Sequence, residues 1–503
     1  MLDTFDDFRR RHPRIVLMIG LLALLVVTRM GHLAGPIDEP HAWRQSDTAQ
    51  YALAFFQSGI DLLHPSVNWM GNYKTVAFEY PLPEALMALV WRVFGYDLLY
   101  ARLVVLMFFA GSAAYLYLIV RRFATEGFAA LATAVYLVLP LSLYYSRAVH
   151  VDFAAVFLAH AMCFHILRLL DGIRVRDLIL GASAATLAFL IKAPYAFYFA
   201  LPLGIVFLQQ RNWRAAAWAA ACTVPALAAF AWWESYSAAL NGAAPDWSFI
   251  PGYQKIINMG SWYFGQPGMR TDPATWWRLL DRFRHEVASP VGFWLALAGA
   301  IATFGRPLRK HRAALLVLWV WLVGAGIYVA IFINLNFVHD YYQMPLLAVT
   351  SVFIALGIAT PQWYLSEKRA NQASAILAVL VAASGIIYAN KHDYKPDNNR
   401  EEAGQFIASH SPVGVPIVAA TDIDYTDCRD PRFLFRASRY GWSLAVKDLK
   451  PEVLHGLYDQ GARQVFLLQE RTTPLPDGLT GAISRHLLAD GVHELRIVEL
   501  TTR

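Results

Sequence analysis

The chain has 503 residues, of which 57% are hydrophobic and only 16% are charged, and its formal net charge is +6. Soluble globular domains carry about 25% charged residues, so this composition excludes a soluble protein and indicates one that crosses the membrane several times. The basic residues stand in short runs between apolar segments, which is typical of membrane topology signals, and no nucleic-acid partner is expected.

About eleven apolar segments approach the length of a spanning helix, which needs roughly 20 mostly apolar residues. The first segment lacks a small-residue cleavage site after it and is predicted to be an uncleaved signal-anchor. The shortest candidates are 177–192 and 291–305. The predicted spans are 14–34, 98–120, 127–146, 152–170, 177–192, 194–210, 213–233, 291–305, 313–335, 342–361 and 372–390.

Basic residues predict the direction of these spans. Arg9, Arg10, Arg11 and Arg14 precede the first span and are expected to remain in the cytoplasm. With alternating spans, every short basic loop then falls on the same side as this cluster. The outward-facing segments are 35–97, 146–152, 234–290, 335–342 and the tail from about 391.

The predicted direction of the later spans depends on whether the stretch Pro83 to Gly95 crosses the membrane. It is too short to cross the bilayer, and Glu84 and Arg92 mark its two ends. We therefore predict an interfacial helix that lies along the outer surface. The alternative is a twelfth span, which would place every basic loop after it on the outside.

The tail, residues 391–503, is predicted to be a small soluble α/β domain that follows a membrane domain of residues 1–390. The runs VPIVAA and RQVFLL are typical of strands, and KPEVLHGLYDQG is typical of a helix. The three cysteines are Cys163, Cys222 and Cys428, and their spacing indicates neither a disulfide framework nor a CxxC metal motif.

Ionisable side chains recur where the predicted spans reach the outer face. The stretch IDEPHAWRQSDTAQ, directly after the first span, contains Asp38, Glu39, His41, Arg44 and Asp47. An ionisable group at membrane depth costs about 2.5–3.5 kcal/mol, so repeated placement at helix ends favours a functional explanation. We predict an outer-leaflet cavity whose carboxylates and cations suit group transfer from a lipid phosphate. The other candidate residues are Gln45, Glu79, His150, Asp152, Lys192, His339, Tyr341 and Tyr342.

Several stretches together resemble the GT-C superfamily of integral-membrane glycosyltransferases. They are DEPHAWRQSDTAQYALAFFQSG, FEYPLPEALMALVWRVFG, RLVVLMFFAGSAAYLYLIVRRF, LIKAPY and HDYYQMP. The resemblance covers about residues 14–350 and points to the family-39-like branch of protein O-mannosyltransferases, aminoarabinose transferases and rhizobial core-sugar transferases. It implies an α-helical polytopic membrane protein with the GT-C fold, about eleven transmembrane helices and interfacial helices in the first outer loop.

The resemblance also implies an activity. The donor would be a hexose or pentose on a polyprenyl phosphate, and the acceptor a hydroxyl of a glycan, lipid or protein. Transfer would invert the anomeric carbon at the outer face of the inner (plasma) membrane, with no required cofactor. Asp38 and Asp47 are both candidates for the general base, because the Asp-Glu pair of the family begins at Asp38 whereas its Tyr-Ala step follows Asp47. Asp38 is preferred, since it lies nearer the helix exit.

The resemblance assigns roles to the remaining candidates by position. Asp152 matches a second acid, Glu79 matches the acid before the interfacial helix, and Lys192 matches a cation near the donor phosphate. Arg44, His339 and His150 are expected to join Lys192 around that phosphate. Contacts with the sugar or acceptor are expected from His41, Gln45, Glu39, Tyr341 and Tyr342.

Alternative explanations stay open at this point. In one alternative, Lys192 only extends its ammonium to the lipid headgroups, and His150 and His339 are polar caps. None of the three then has a catalytic role. Carboxylates and imidazoles also suit divalent metals, but no ligand spacing supports a metal site. The alternatives from other classes are a transporter or flippase for a lipid-linked saccharide and a non-catalytic subunit of polysaccharide assembly. Transporters tend to have internal repeats and charges at mid-span, and neither is found here.

Overall fold

The computed structural model describes residues 13–423, 426–477, 479 and 482–500. The basic residues Arg9, Arg10 and Arg11 lie outside the described residues. The backbone forms two compact units. Unit one is Met1–Ala34, Arg102–Trp232 and Met259–Tyr394, and unit two is Gly35–Ala101, Trp233–Asn258 and Lys395–Arg503. The polar tail therefore shares its unit with most of the first predicted outer loop.

The described chain is mainly helical, as expected from its composition. The α-helices are α1 (Pro13–Val27), α2 (Ala42–Ser58), α3 (Leu82–Phe94), α4 (Leu98–Phe123), α5 (Glu126–Val138), α6 (Pro140–Tyr145), α7 (Asp152–Asp171), α8 (Val175–Lys192), α9 (Pro194–Phe197), α10 (Ala200–Gln210), α11 (Trp213–Ala221), α12 (Thr223–Gly242), α13 (Gly260–Phe264), α14 (Pro273–Arg282), α15 (Pro290–Ala302), α16 (Arg312–Ile331), α17 (Ile333–Val338), α18 (Leu346–Ala359), α19 (Glu367–His392), α20 (Asn398–His410), α21 (Arg432–Arg436) and α22 (Pro451–Asp459).

Within the described ranges, seven helical segments are long and apolar enough to cross a membrane. They are Pro13–His32, Leu98–Phe123, Asp152–Asp171, Trp213–Gly242, Arg306–Ile331, Leu346–Trp363 and Glu367–His392. Each overlaps a predicted span. The other four predicted spans are also helical but shorter, more charged or interrupted, and their crossing of the bilayer stays a prediction. Helix α3 is not among the seven, in keeping with its predicted interfacial position.

The predicted span 127–146 is interrupted at Pro140. Helix α5 ends at Val138, and α6 begins at the proline itself. Proline lacks a backbone N–H and its ring collides with the preceding turn, so a helix ends before it. A similar interruption at Phe332, with φ of −96° and ψ of +45°, separates α16 from α17 without a proline.

Helices of unit one pack closely through glycine. A Cβ atom on Gly299 of α15 would lie 2.0 Å from the carbonyl oxygen of Phe353, and one on Gly357 of α18 would lie 2.1 Å from that of Leu295. Any side chain at either position would push α15 and α18 apart. Small residues at such contacts allow the backbones of membrane helices to approach, which is the expected use of the abundant glycine and alanine.

Helix α1 is largely exposed along its length, but its end is fixed by a buried arginine. The Arg29 guanidinium donates to Ser146 Oγ at 2.9 Å and to the carbonyl oxygens of Leu137 and Ser142 at 2.7 and 3.1 Å. Buried charge is tolerated only when its donors are satisfied. These bonds therefore fix the end of α1 against the α5–α6 connection.

Unit two contains a five-stranded mixed sheet formed by the tail. The strands are β1 (Ile417–Thr421), β2 (Gly441–Ala445), β3 (Gln464–Glu470), β4 (Ala482–Leu487) and β5 (His493–Glu499), in the order β2-β1-β3-β5-β4. Strand β1 is parallel to β2 and β3, whereas β5 is antiparallel to β3 and β4. The predicted strands VPIVAA and RQVFLL are β1 and β3, and the predicted helix is α22, so the α/β tail is confirmed.

The first loop extends this sheet at β2. The Gly71 N–H donates to the Gly441 carbonyl at 2.7 Å, and the Gly441 N–H donates to the Asn68 carbonyl at 2.8 Å. Gly71 has φ of +52°, and a Cβ there would lie 2.2 Å from Trp442 Cζ2. Only glycine fits both the left-handed backbone and this close approach. Trp69 and Trp247 lie in the same buried cluster as Trp442.

Candidate active site

In unit one, a buried carboxylate and a buried ammonium face each other at two helix ends. Helix α7 begins at Asp152 and α8 ends at Lys192, whose Nζ lies 2.8 Å from Asp152 Oδ1. The Lys192 side chain is 5% exposed and that of Asp152 is 0% exposed. His150 Nδ1 lies 2.5 Å from Asp152 Oδ2, and the Tyr195 hydroxyl donates to Oδ1. These polar partners offset the cost of burying the carboxylate.

Tyrosine rings form the wall beside Lys192. Its Nζ lies 4.4 Å from the centre of the Tyr342 ring, 5.1 Å from that of Tyr195 and 5.2 Å from that of Tyr341. An ammonium within about 6 Å of an aromatic face is attracted by the ring quadrupole. The Tyr195 hydroxyl oxygen also lies 2.8 Å from the Tyr341 carbonyl oxygen, which places the lysine end of α8 beside the 341–342 segment.

The segment before Tyr341 brings a histidine into the same group. The His339 ring stacks on Tyr341 with centroids 4.9 Å apart and planes inclined by 12°, and it lies 5.7 Å from the Trp262 ring. The neighbouring Asp340 accepts a 2.6 Å bond from the Tyr145 hydroxyl. Sequence candidates at 150, 152, 192, 339, 341 and 342 thus form one cluster within unit one, which we call the lysine–tyrosine cluster.

Unit two contains the candidates of the first loop. His41 is the residue before α2, and its backbone φ is +52°. The loop ends and the helix begins at this left-handed residue. The Glu39 N–H donates to the Lys395 carbonyl at 2.7 Å, and Asp38 forms a β-bridge with Pro396. The Gln45 amide donates to the Asp38 carbonyl at 3.3 Å. The DEPH turn is therefore fixed on the first residues of the tail.

Arg44 lies in the first turn of α2, three residues after His41. Its guanidinium forms an ion pair with Glu79 and lies 5.2 Å from the Phe78 ring centre. The Arg44 side chain is 8% exposed and that of Glu79 is 22% exposed. Two residues that the sequence analysis predicted as parts of one site therefore do meet, and each orients the other.

Asp47 lies three residues after Arg44 on α2 and has a different hydrogen-bond partner. Its Oδ1 accepts a 3.0 Å bond from the Trp69 indole N–H, and burial raises its pKa to about 7. Burial likewise raises the pKa of Glu84, which lies in the first turn of α3, to about 8. Both carboxyls are protonated more easily than a solvated acid.

Glu39 belongs to a network of arginines and carboxylates. Arg400 Nη1 lies 3.1 Å from Glu39 and 3.0 Å from Asp397, while Arg432 lies 3.7 Å from Glu39 and Arg436 lies 3.5 Å from Asp397. Burial raises the pKa of Glu39 to about 7, and the adjacent Asp397 carboxylate adds to this shift. The contact joins residues more than 350 positions apart, so no local spacing signals it.

The predicted residues thus fall into two sets, one in each unit. The expectation that both sets serve a single outer cavity stays a prediction. The sequence analysis missed Tyr195, Tyr145 and Trp69, although Tyr195 follows Lys192 by three positions and could have been found from that helical spacing. In the described part of the chain, no group of three or more His, Cys, Asp or Glu side chains is arranged to hold a metal ion.

Comparison with known proteins relates the chain to membrane glycosyltransferases. The family model described as dolichyl-phosphate-mannose-protein mannosyltransferase matches residues 79–233, a segment that includes Glu79, Asp152 and Lys192. No curated protein sequence matches the chain significantly.

Solved structures share the fold across nearly the whole chain. ArnT from Cupriavidus metallidurans, bound to undecaprenyl phosphate, has a TM-score of 0.60 at 14% identity over 97% of this chain and 98% of that one. The archaeal oligosaccharyltransferase AglB from Archaeoglobus fulgidus, in complex with an inhibitory peptide and a dolichol-phosphate, has a TM-score of 0.57 at 10% identity. The match covers 92% of this chain and 70% of that one. At these identities the similarity establishes the fold, and the predicted GT-C resemblance is confirmed.

Proposed function

We propose, on the premise that this chain has the fold of the GT-C membrane glycosyltransferases, that it transfers a sugar from a polyprenyl phosphate to a hydroxyl acceptor at the outer face of the cell membrane. The observation that carries the proposal is the buried Lys192–Asp152 pair with its tyrosine wall, within the segment that matches the mannosyltransferase model. Such a cluster has the charge and the flat apolar surfaces that a lipid-linked phosphosugar requires.

Lys192 is the proposed cation for the donor phosphate. An ammonium has three N–H donors, and in this structure Asp152 accepts one of them and fixes the position of the group. His150 and His339 lie in the same cluster and would add donors to the phosphate when protonated. Tyr341 and Tyr342 supply ring faces on which a pyranose can stack.

Within unit two, Asp38 is the proposed general base. Asp47 is the alternative, but its carboxylate already accepts a bond from Trp69, whose ring belongs to the buried core. The backbone of Asp38 is fixed by the bridge to Pro396. Arg44, oriented by Glu79, is proposed as a second phosphate ligand that uses a bidentate fork.

The proposed reaction is a direct displacement. The acceptor oxygen forms a bond to the anomeric carbon while the bond from that carbon to the phosphate oxygen breaks. The hydroxyl proton passes to the Asp38 carboxylate, and the electron pair of the broken bond leaves with polyprenyl phosphate. One displacement inverts the anomeric centre. Glu39, His41 and Gln45, which surround Asp38 in sequence, are proposed to contact the sugar or acceptor.

Two carboxylate variants test the assignment of the base. Asp38→Asn and Asp47→Asn are compared for transfer of label from radiolabelled polyprenyl-phosphate sugars to acceptors in a membrane lipid extract. A missing general base lowers the rate by about 10²–10⁴-fold, and this loss is expected for Asp38→Asn alone. Equal and near-normal rates for both variants would contradict the assignment. Thermal unfolding of each variant shows whether a loss of rate reflects a loss of folding.

The proposed side of the membrane is tested separately. The exposed Ser58 at the end of α2 and the exposed Arg309 of the basic loop are each replaced by cysteine. A membrane-impermeant maleimide applied to intact cells is expected to label Ser58→Cys but not Arg309→Cys. The reverse pattern would place the first loop in the cytoplasm and exclude an outer site. The three native cysteines are buried and serve as the background control.

A further inference from the structure

Unit one contains a large apolar cavity that the proposed transfer reaction does not use. Its volume is about 460 Å³, within the range of about 300–1,000 Å³ that is typical of ligand sites. Phe123, Leu167, Leu203, Leu318 and Trp321 are among the apolar side chains that form its wall. A membrane-embedded cavity of this size and character suits a hydrocarbon chain.

The cavity is well separated from the lysine–tyrosine cluster. Helix α7 begins at Asp152 and contributes Cys163 and Leu167 to the cavity wall. At a rise of 1.5 Å per residue, these two positions lie about 16 and 22 Å along the helix from Asp152. The hydrocarbon core is about 30 Å thick, so the predicted topology, with Asp152 at the outer face, places the cavity in the cytoplasmic half of the membrane.

A strongly basic segment borders this cavity. Residues 306–312 read RPLRKHR, and Leu308 and His311 of this segment contribute to the wall. Within the described ranges, none of its four Arg and Lys side chains forms an ion pair with a carboxylate. By contrast, Arg122, which precedes the wall residue Phe123, pairs with Asp171. Among the described residues, the positive charge at 306–312 is therefore not balanced by a carboxylate.

We propose that the cavity binds an acyl chain of an anionic glycerophospholipid whose phosphate contacts the 306–312 segment. Basic pockets between membrane helices on the cytoplasmic side bind anionic lipid head groups, and the predicted topology places this loop in the cytoplasm. The apolar wall accounts for the chain and the unbalanced charge accounts for the head group. A neutral lipid would satisfy only the first feature.

Photo-crosslinking of the purified full-length protein tests this proposal. The probe is phosphatidylglycerol with a diazirine in one acyl chain, added to protein in phosphatidylcholine nanodiscs, and the crosslinked peptides are identified by mass spectrometry. Label is expected on the peptide around Leu318 and Trp321. Leu318→Trp, which fills the cavity, is expected to remove it. Ala314→Phe, which fills it from another wall position, is the second variant if the first unfolds.

Charge variants test the head-group contact. The triple variant Arg309→Gln/Lys310→Gln/Arg312→Gln is expected to reduce phosphatidylglycerol labelling on the order of tenfold, since each basic residue contributes to anionic lipid binding. The matched control removes three exposed basic charges elsewhere, at Arg214, Lys368 and Arg369, and is expected to leave labelling unchanged.

Three results would overturn the proposal. The first is equal labelling by the phosphatidylglycerol probe and its phosphatidylcholine analogue. The second is labelling that persists in the folded cavity-filling variants. The third is displacement of the probe by undecaprenyl phosphate at a lower concentration than by unlabelled phosphatidylglycerol, which would assign the cavity to a prenyl chain. None of these results depends on sugar transfer, so the proposed enzymatic function is tested independently.

Discussion

Replacement of Lys192 by methionine would break the buried ion pair at the centre of the lysine–tyrosine cluster. Lys192 Nζ and Asp152 Oδ1 are 2.8 Å apart, and both side chains are almost fully buried. Removal of one partner of a buried ion pair typically costs about 3–5 kcal/mol, and here only His150 and Tyr195 would remain beside the Asp152 carboxylate. We expect a loss of this size in the free energy of unfolding, since methionine keeps the shape of the lysine stem but removes the ammonium.

A double-mutant cycle separates this charge effect from a loss of packing. The variants Lys192→Met, Asp152→Asn and their combination are unfolded by SDS titration in mixed micelles, followed by circular dichroism. The combination is expected to be less destabilised than the sum of the single variants by about 1–3 kcal/mol, because it leaves no unpaired charge. The half-exposed Arg122–Asp171 pair is the control, and Arg122→Met is expected to cost less than about 1 kcal/mol. Additive effects in the cycle, or equal costs for Lys192→Met and Arg122→Met, would refute the reasoning.

Three further variants test other parts of the structure. Burial raises the pKa of Asp47 from 3.8 to about 7, so the folded state binds this proton more tightly than the unfolded state does. The free energy of unfolding therefore falls by up to about 4 kcal/mol as the pH rises from about 4 to 7. The unfolding free energy of Asp47→Asn, measured across the same pH range, is expected not to show this fall. Gly71→Ala is expected to lower the unfolding free energy by about 1–3 kcal/mol, because its Cβ would overlap the Trp442 ring; a stability equal to that of the parent protein would show that the loop is not fixed there. Tyr195→Phe removes a hydroxyl that donates to Asp152, so we expect transfer to be slower on the order of tenfold in a rate assay and the unfolding free energy to fall by about 1–3 kcal/mol; an unchanged rate would show that this hydroxyl has no positioning role.

Much of the fold could be predicted because it depends on local pattern. The length of the apolar segments predicted the helices, and short apolar runs between Gly and Pro residues predicted strands β1 and β3. Lys192 and Asp152 were identified because charged residues at the ends of apolar helices are costly unless they are used. Such signals lie within a few turns of chain and need no knowledge of tertiary contacts.

The missed features depend on contacts between distant parts of the chain. Glu39 meets Arg400 across more than 350 positions, and Asp47 meets Trp69 across 22. Neither contact follows from the period of a helix or a strand. The pairing of Gly71 with Gly441 is the same kind of contact, and together such bonds place the first loop in the unit formed by the tail. A single sequence contains no direct record of these pairs.

The most direct test of the account is the fate of the donor. Purified protein is incubated with radiolabelled polyprenyl-phosphate sugars, with and without a membrane lipid extract as acceptor, and free polyprenyl phosphate is measured together with labelled product. We expect both to appear only when the acceptor is present, in equal amounts, and Asp38→Asn to lower both rates by about 10²–10⁴-fold. Movement of intact donor across a vesicle membrane with no cleavage of the sugar–phosphate bond would contradict the account and identify a transporter instead.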